Sequence, residues 1–206
     1  MIQPLDRRII RTKQLLREAL MNLIEEKGIE GITVRDLTEQ AGLNRGTFYL
    51  HYRDIADLLE QSKTEMLHGL LKIHDKLNPK TGIDDNFEKK KEAMALAMFE
   101  YFADNHRFFE LMLGPKGDPS YIDQMKKFLK KIHYENHLRI QPNDANLLVP
   151  RDYLIAHAIS STLGIIQHWF ESGMNLTPKE MVTLVKRLAE LNPLQLSGLE
   201  KSSVEK

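Results

Sequence analysis

Gly31-Ile32-Thr33-Val34-Arg35-Asp36-Leu37 is followed, after Thr38-Glu39-Gln40, by Ala41-Gly42-Leu43-Asn44-Arg45-Gly46-Thr47-Phe48-Tyr49-Leu50-His51-Tyr52. Thr33 is a strong N-cap, and Val34, Leu37 and Ala41 recur at helical spacing, so a helix is predicted over 34–41. Gly42 ends it, because glycine adopts the positive φ of a tight turn without steric cost. Asn44 is a favourable N-cap for a second short helix, from Arg45 to His51 or Tyr52. Two short helices joined by Ala41-Gly42-Leu43-Asn44 have a helix-turn-helix layout, in which the first braces and the second can enter a major groove.

The second helix has two faces. Phe48 and Tyr52, four apart, point back into a three-helix core, which leaves Arg45, Gly46, Thr47, Tyr49, Leu50 and His51 on or near the outer side. Arg45 can fork onto guanine O6 and N7, Thr47 and Tyr49 can donate to phosphates, and a protonated His51 can contact one as well. Gly46 permits close backbone approach. Arg35, near the start of the bracing helix, is a second candidate for base reading, and Thr33 can reach a phosphate from the same helix end while still capping it.

Beyond this stretch the apolar residues keep a helical period, and no segment has the sustained alternation of a half-buried strand, so the chain is expected to be all-α. A first helix is predicted from about Asp6 to Lys27, burying Leu16, Leu20, Leu23 and Ile24 and ending at Gly28. Arg7, Arg8, Arg11, Lys13 and Arg17 lie on it with no acidic residue among residues 7–17, and taken alone they read as a solvated face. A long helix runs from near Asp54 toward Leu77, with Pro79 and Gly82 as breakers. Others follow over about Asn86–Asn105, Phe108–Leu113, Tyr121–Ile140 and Arg151–Glu171. A last one starts after Thr177-Pro178, where threonine caps and proline occupies the first turn. The expected organisation is a three-helix DNA-binding domain over 1–53, a larger helical regulatory and dimerisation domain over 54–194, and a flexible tail over 195–206.

Composition narrows the function classes. Hydrophobic residues make up 42% and charged residues 28% of 206, the balance of a folded globular protein. No apolar run reaches the length of a membrane span, and Met1 to Arg8 lacks the apolar core of a secretion signal, so no membrane partner and a cytoplasmic location are expected. The absence of cysteine excludes disulfides, a thiolate nucleophile and sulfur-ligated zinc. Net charge is formally zero, so nucleic-acid binding rests on where the cations lie and not on their number. His133 and His137 lie four apart, but no carboxylate follows His133 as a zinc peptidase motif requires. Gly114 to Ser120 is not in phosphate-loop order. With no converging catalytic set, neither an enzyme nor a cofactor or metal is implied.

The string from Gly31 to Tyr52 closely resembles the DNA-binding region of TetR family regulators. That resemblance implies that Arg35, Arg45, Gly46, Thr47, Tyr49 and His51 sit where members contact bases and phosphates. Members commonly place a phosphate-holding lysine at the start of the fourth helix; here that position is Ile55, and Arg53, two residues earlier, is the candidate substitute. Leu111-Met112-Leu113-Gly114-Pro115-Lys116-Gly117-Asp118-Pro119-Ser120-Tyr121 and Gly164-Ile165-Ile166-Gln167-His168-Trp169-Phe170-Glu171-Ser172-Gly173-Met174 resemble the C-terminal domain of a Gram-positive group that includes the activator of dihydroxyacetone kinase genes. The resemblance implies a homodimer that senses a ligand, with repression as the family default.

In the last two long helices, Ile155, Ile159, Thr162 and Ile166 form a stripe flanked by Ala158, Ser161 and Gly164, and Met181, Leu184, Val185 and Leu188 form another. Two copies of each would make a four-helix dimer interface; an intramolecular core would show the same pattern. Twofold symmetry then spaces the recognition helices by about 34 Å, one turn of DNA, or a multiple of it, and implies a palindromic double-stranded operator. Met94, Met98, Phe102, Phe108, Phe109, Met112, Tyr153, His157 and Trp169 form an adaptable set suited to a small apolar or amphipathic effector, or else an ordinary core. The expected function is a ligand-responsive repressor. The alternative is a coactivator or adaptor of the same fold acting mainly through protein contacts.

Overall fold

Leu16, Leu20 and Ile24 recur along one side of the first helix and are wholly buried, which fixes the face on which the N-terminal unit assembles. A computed structural model describes residues 7–78 and 86–199. Its helices are α1 (Arg7–Lys27), α2 (Val34–Ala41), α3 (Arg45–Tyr49), α4 (Ile55–Leu77), α5 (Phe87–Asp104), α6 (His106–Leu113), α7 (Pro119–Ile140), α8 (Arg151–Glu171), α9 (Pro178–Glu190) and α10 (Pro193–Leu196), with a single 3-10 turn over Asp144–Asn146. The architecture is all-α, as the periodicity predicts. Pro79 and Gly82 lie outside the described residues.

In the N-terminal unit α1 packs on α2 and α2 on α3. Leu37 and Phe48 meet the α1 leucines with no exposed surface, and Tyr52 and Leu58 close the cluster. Each such side chain contributes about 1.5–3 kcal/mol on burial, which offsets the poor stability of isolated helices as short as α2 and α3. Gly42 has φ 65° and ψ 33°, and this left-handed residue allows Leu43 N–H to reach the Thr38 carbonyl at 2.9 Å, closing α2 and turning the chain into α3.

The C-terminal helices form a second core. α4 packs on α5 and α7, α5 on α9, and α7 on α8. At Gly69, midway along α4, a Cβ would lie 2.1 Å from the Tyr101 hydroxyl oxygen, so the absent side chain lets the α5 tyrosine lie flush on α4. Phe99, Phe102, Phe108, Phe109, Tyr121, Trp169 and Phe170 make a continuous aromatic cluster; Phe102 and Phe109 meet edge to face with centroids 4.7 Å apart.

Two sets of polar contacts join the units. Lys116 Nζ donates to the Glu25 carbonyl at 2.9 Å, and Arg107 donates to the Glu25 carboxylate at 2.8 Å and to Asn22, so α6 and its following loop grip the last turns of α1. Arg17 pairs with Glu65, tying α1 to α4.

Several boundaries differ from the sequence expectation. α7 starts at Pro119, because Asp118 caps it by accepting from Ser120 N–H at 2.9 Å. α6 starts at His106, abutting α5 across Asn105. Asn44 holds the N-cap position of α3 in extended backbone but makes no capping bond. The segment expected to be tail from residue 195 overlaps α10, which Asn192 and Gln195 cap reciprocally. Residues 200–206 of that tail lie outside the described ones.

Candidate nucleic-acid interface

The outer surface of the helix-turn-helix is built on α2. Thr33 Oγ1 accepts from Asp36 N–H at 3.2 Å, while Asp36 Oδ2 accepts from Thr33 N–H at 3.1 Å and from Lys27 Nζ at 2.8 Å. These bonds, the one from Lys27 foremost, hold the Asp36 carboxyl down to about 2. The capping box leaves the exposed Thr33 hydroxyl proton available. Arg35 is exposed on the first turn, its Nε 2.7 Å from Glu39 Oε1, a bond that keeps the guanidinium firmly charged.

α3 divides its residues sharply. Phe48 is wholly buried and Tyr52 nearly so, whereas Tyr49 is 59% and Leu50 80% exposed. Arg45 and Gly46 are also exposed, and Thr47 and His51 are half-buried. The Phe48 ring meets Tyr49 edge to face at 5.4 Å, so the buried anchor steadies the exposed ring beside it. The residues expected on the outer face are therefore brought together on one surface. Ile55 packs partly against the core, which removes that position from the polar surface. The Arg53 side chain is 87% exposed, with Nη2 3.5 Å from Asp57 Oδ1.

One part of this surface escaped the sequence reading. Lys13 Nζ, in the second turn of α1, lies 5.8 Å from the centroid of the Tyr52 ring, just beyond α3. Arg7, Arg8 and Arg11, earlier on α1, are exposed.

A cavity of about 360 Å³ lies in the C-terminal domain between α4, α5, α7, α8 and α9. Met94, Met98 and Phe102 line it as expected, joined by Leu70, Phe99, Phe128, Leu129, Ile132, Ile165 and Ile166. Phe108 and Met112 do not line it, because α6 turns them into the aromatic cluster. Trp169 is buried and does not line the cavity; it meets the lining residue Phe99 edge to face at 5.5 Å. Tyr153, 73% exposed, and His157 lie on the outer side of α8, away from it. The polar residues Asn78, Lys91, His133, Asn136, His137 and Arg139 also line it and were not expected, as do Phe87, Ala95, Ile140 and Val185.

The expected dimer residues also divide. Ile155, Ile166 and Met181 are buried within the protomer's own core, and Ile159 and Leu184 pack against it. Thr162 and Ile166 line the cavity. That stripe faces inward because α8 must cover α7, so the surface left on α8 carries Ala156, His157, Ser160, Ser161, Gly164 and His168 instead. An open cleft between α8 and α9 is lined by Ser161, Gly164, His168, Leu184 and Leu188.

Comparison with known proteins agrees with this layout. The family profile "Bacterial regulatory proteins, tetR family" matches residues 16–62, and "Transcriptional regulator C-terminal region" matches residues 90–191. An uncharacterised HTH-type transcriptional regulator of Bacillus subtilis (strain 168), YxbF, is 26% identical over 85% of this chain, and the chain spans 43% of that relative's length. Among solved structures, a TetR transcriptional regulator from Streptococcus agalactiae matches with a TM-score of 0.63 and 22% identity, over 90% of this chain and 97% of that one. FadR from Bacillus subtilis, solved in complex with stearoyl-CoA, matches with a TM-score of 0.58 and 17% identity, over 85% of this chain and 96% of that one. The dihydroxyacetone kinase operon activator DhaS matches with a TM-score of 0.57 and 14% identity, over 86% and 93%. With both profiles falling on the two helical units just described, the chain belongs to the TetR family of DNA-binding transcriptional regulators.

Proposed function

We propose that the protein is a ligand-responsive repressor that binds a palindromic operator as a homodimer, reading bases with the outer face of α3. The observation that carries this is the pairing of a wholly buried Phe48 with a Leu50 that is 80% exposed. A leucine left in water forgoes about 1.5–3 kcal/mol of burial, and a thymine methyl in the major groove is an apolar surface that fits it. Arg45 and Arg35 read base edges; Thr33, Thr47, Tyr49, His51 and Arg53 hold phosphates, and Gly46 lets the backbone approach. Arg7, Arg8 and Arg11 extend the phosphate contacts along the flank, in place of the lysine whose position Ile55 occupies.

Residues 1–53 act as the reading unit and 54–194 as the dimerising and sensing unit. The α8–α9 cleft, with Ser161, Gly164, Leu184 and Leu188, receives the same helices of a second copy, since small residues allow close helix approach. The apolar cavity takes the effector, and the FadR structure with stearoyl-CoA supports a ligand in a fold of this kind. Effector binding acts by favouring one of two spacings of the reading units. The contacts of Arg107 and Lys116 with the end of α1 are where the two units would exchange that shift.

Gel-shift and footprinting on DNA flanking the protein's own gene, repeated at several salt concentrations, test the reading. A protected palindrome and a steep loss of affinity with salt are expected. Absence of any specific site contradicts DNA reading and favours a coactivator acting through protein contacts.

A further inference from the structure

α8 differs from the other helices in its charge. From Tyr153 to Phe170 it holds no lysine, arginine, aspartate or glutamate, and Asp152 and Glu171 bracket the run. No other described helix extends beyond about two turns without one of these residues. A helix uncharged on every side is ordinarily buried on every side. Here one side only is buried, through Ile155, Leu163, Ile166 and Phe170, while Tyr153, His157, Ser160, Ser161, Gly164 and His168 are exposed together on the other. Depletion of charge, more than apolarity, marks the core of an interface between proteins.

The exposed positions read the same from either end: 153, 157, 160 with 161, 164, 168. A twofold axis between Ser160 and Ser161 therefore maps this face onto itself, with the two copies of α8 antiparallel. Each serine then meets its own copy, His157 lies level with Gly164 of the second copy, and Tyr153 lies level with His168. Gly164 has the room this needs, since an added Cβ would touch nothing within 4 Å. Glycine inside a helix weakens it, and the close approach of a neighbouring helix is what such a residue permits. Antiparallel packing also sets the positive N-terminal end of one α8 beside the negative C-terminal end of the other.

We infer that two copies of this chain pair through this face of α8, antiparallel, with the twofold axis between Ser160 and Ser161. The inference rests on reading the protein as a homodimer and adds the register, which that reading leaves open. A foreign partner would find no charge on this face to match, whereas a second copy matches it position by position. Ile165 lines both the effector cavity and the cleft beside this face, so the pairing surface lies one side chain away from the cavity.

The chain has no cysteine, so an introduced thiol has no competitor and disulfide mapping of the full-length protein tests the register. Ser160→Cys and Ser161→Cys should each cross-link between copies under mild oxidation, because a disulfide needs Cα atoms within about 7 Å. His157→Cys alone and Gly164→Cys alone should stay uncross-linked, since like residues lie about 10 Å apart along the antiparallel pair. The double variant His157→Cys/Gly164→Cys should cross-link, and only between copies, because the two positions are equally far apart within one helix. Ser161→Lys places like charges across the axis and should weaken dimerisation at least about tenfold in sedimentation, with helix content unchanged. Cross-linking of His157→Cys alone, or no cross-link in any variant while the reduced protein sediments as a dimer, overturns the register and leaves the homodimer standing. Unchanged dimerisation of Ser161→Lys overturns it as well. A wild-type protein that sediments as a monomer overturns both.

Discussion

Lys63 Nζ lies 2.8 Å from Asp118 Oδ2, an ion pair between α4 and the cap of α7 in which the lysine is only 3% exposed. Burial alone would lower the lysine's pKa, but the bonds to Asp118 and Glu60 outweigh it and leave it raised. For Asp118, burial pushes upward and is outweighed by the bonds from Lys63 and Ser120, so its carboxyl stays below the ordinary value. Asp118→Ala removes a helix cap and a buried charge partner together, and should cost about 2–4 kcal/mol in urea unfolding at neutral pH. Lys63→Met removes the charge, keeps the packing volume and should cost less. A larger loss for Lys63→Met contradicts the pairing.

The capping box of α2 carries its own acid dependence. Asp36 has a folded pKa of about 2 against an ordinary value of 3.8. Because the folded value is the lower one, its contribution is complete above the ordinary value and is lost as pH falls through the folded value. An NMR titration of the α2 amides should show a midpoint near 2 that disappears in Asp36→Asn. A midpoint at the ordinary aspartate value means that the Lys27 and Thr33 contacts do not persist in solution.

Neighbouring residues of α3 should fail in different ways. Phe48→Ala empties a wholly buried site and is expected to cost about 3–5 kcal/mol of stability, with DNA binding lost through unfolding of the unit. Leu50→Ala should leave stability within about 0.5 kcal/mol and still weaken operator binding. Thermal unfolding and fluorescence anisotropy on the same samples separate the two. An unchanged operator affinity in Leu50→Ala argues against α3 as the reading helix.

Local signals carried most of the fold. Thr33, Gly42 and the spacing of Val34, Leu37 and Ala41 act within one or two turns, so α2 and the turn into α3 were legible residue by residue. Short-range periodicity also marked the buried face of α1. It could not say what a buried face packs against, because that depends on how helices distant in the chain cross. Ile155 and Ile166 look the same in sequence whether they meet a second copy or their own core, and here both are buried within the protomer. The same limit placed Phe108 and Met112 with Met94 and Met98, though α6 directs the first pair away from the cavity. Polar residues of α7 went unread as lining because histidine, asparagine and arginine at a helix end most often face solvent.

Arg45 is proposed to read a base and Thr47 to hold a phosphate, both from the outer side of α3. Competition binding of wild type, Arg45→Ala and Thr47→Ala against an operator, its single-base variants and non-specific DNA tests it most directly. Arg45→Ala should lose about 1–3 kcal/mol of discrimination at one base pair in each half-site, and Thr47→Ala should weaken specific and non-specific binding alike. The same uniform loss in both variants would contradict base reading by Arg45.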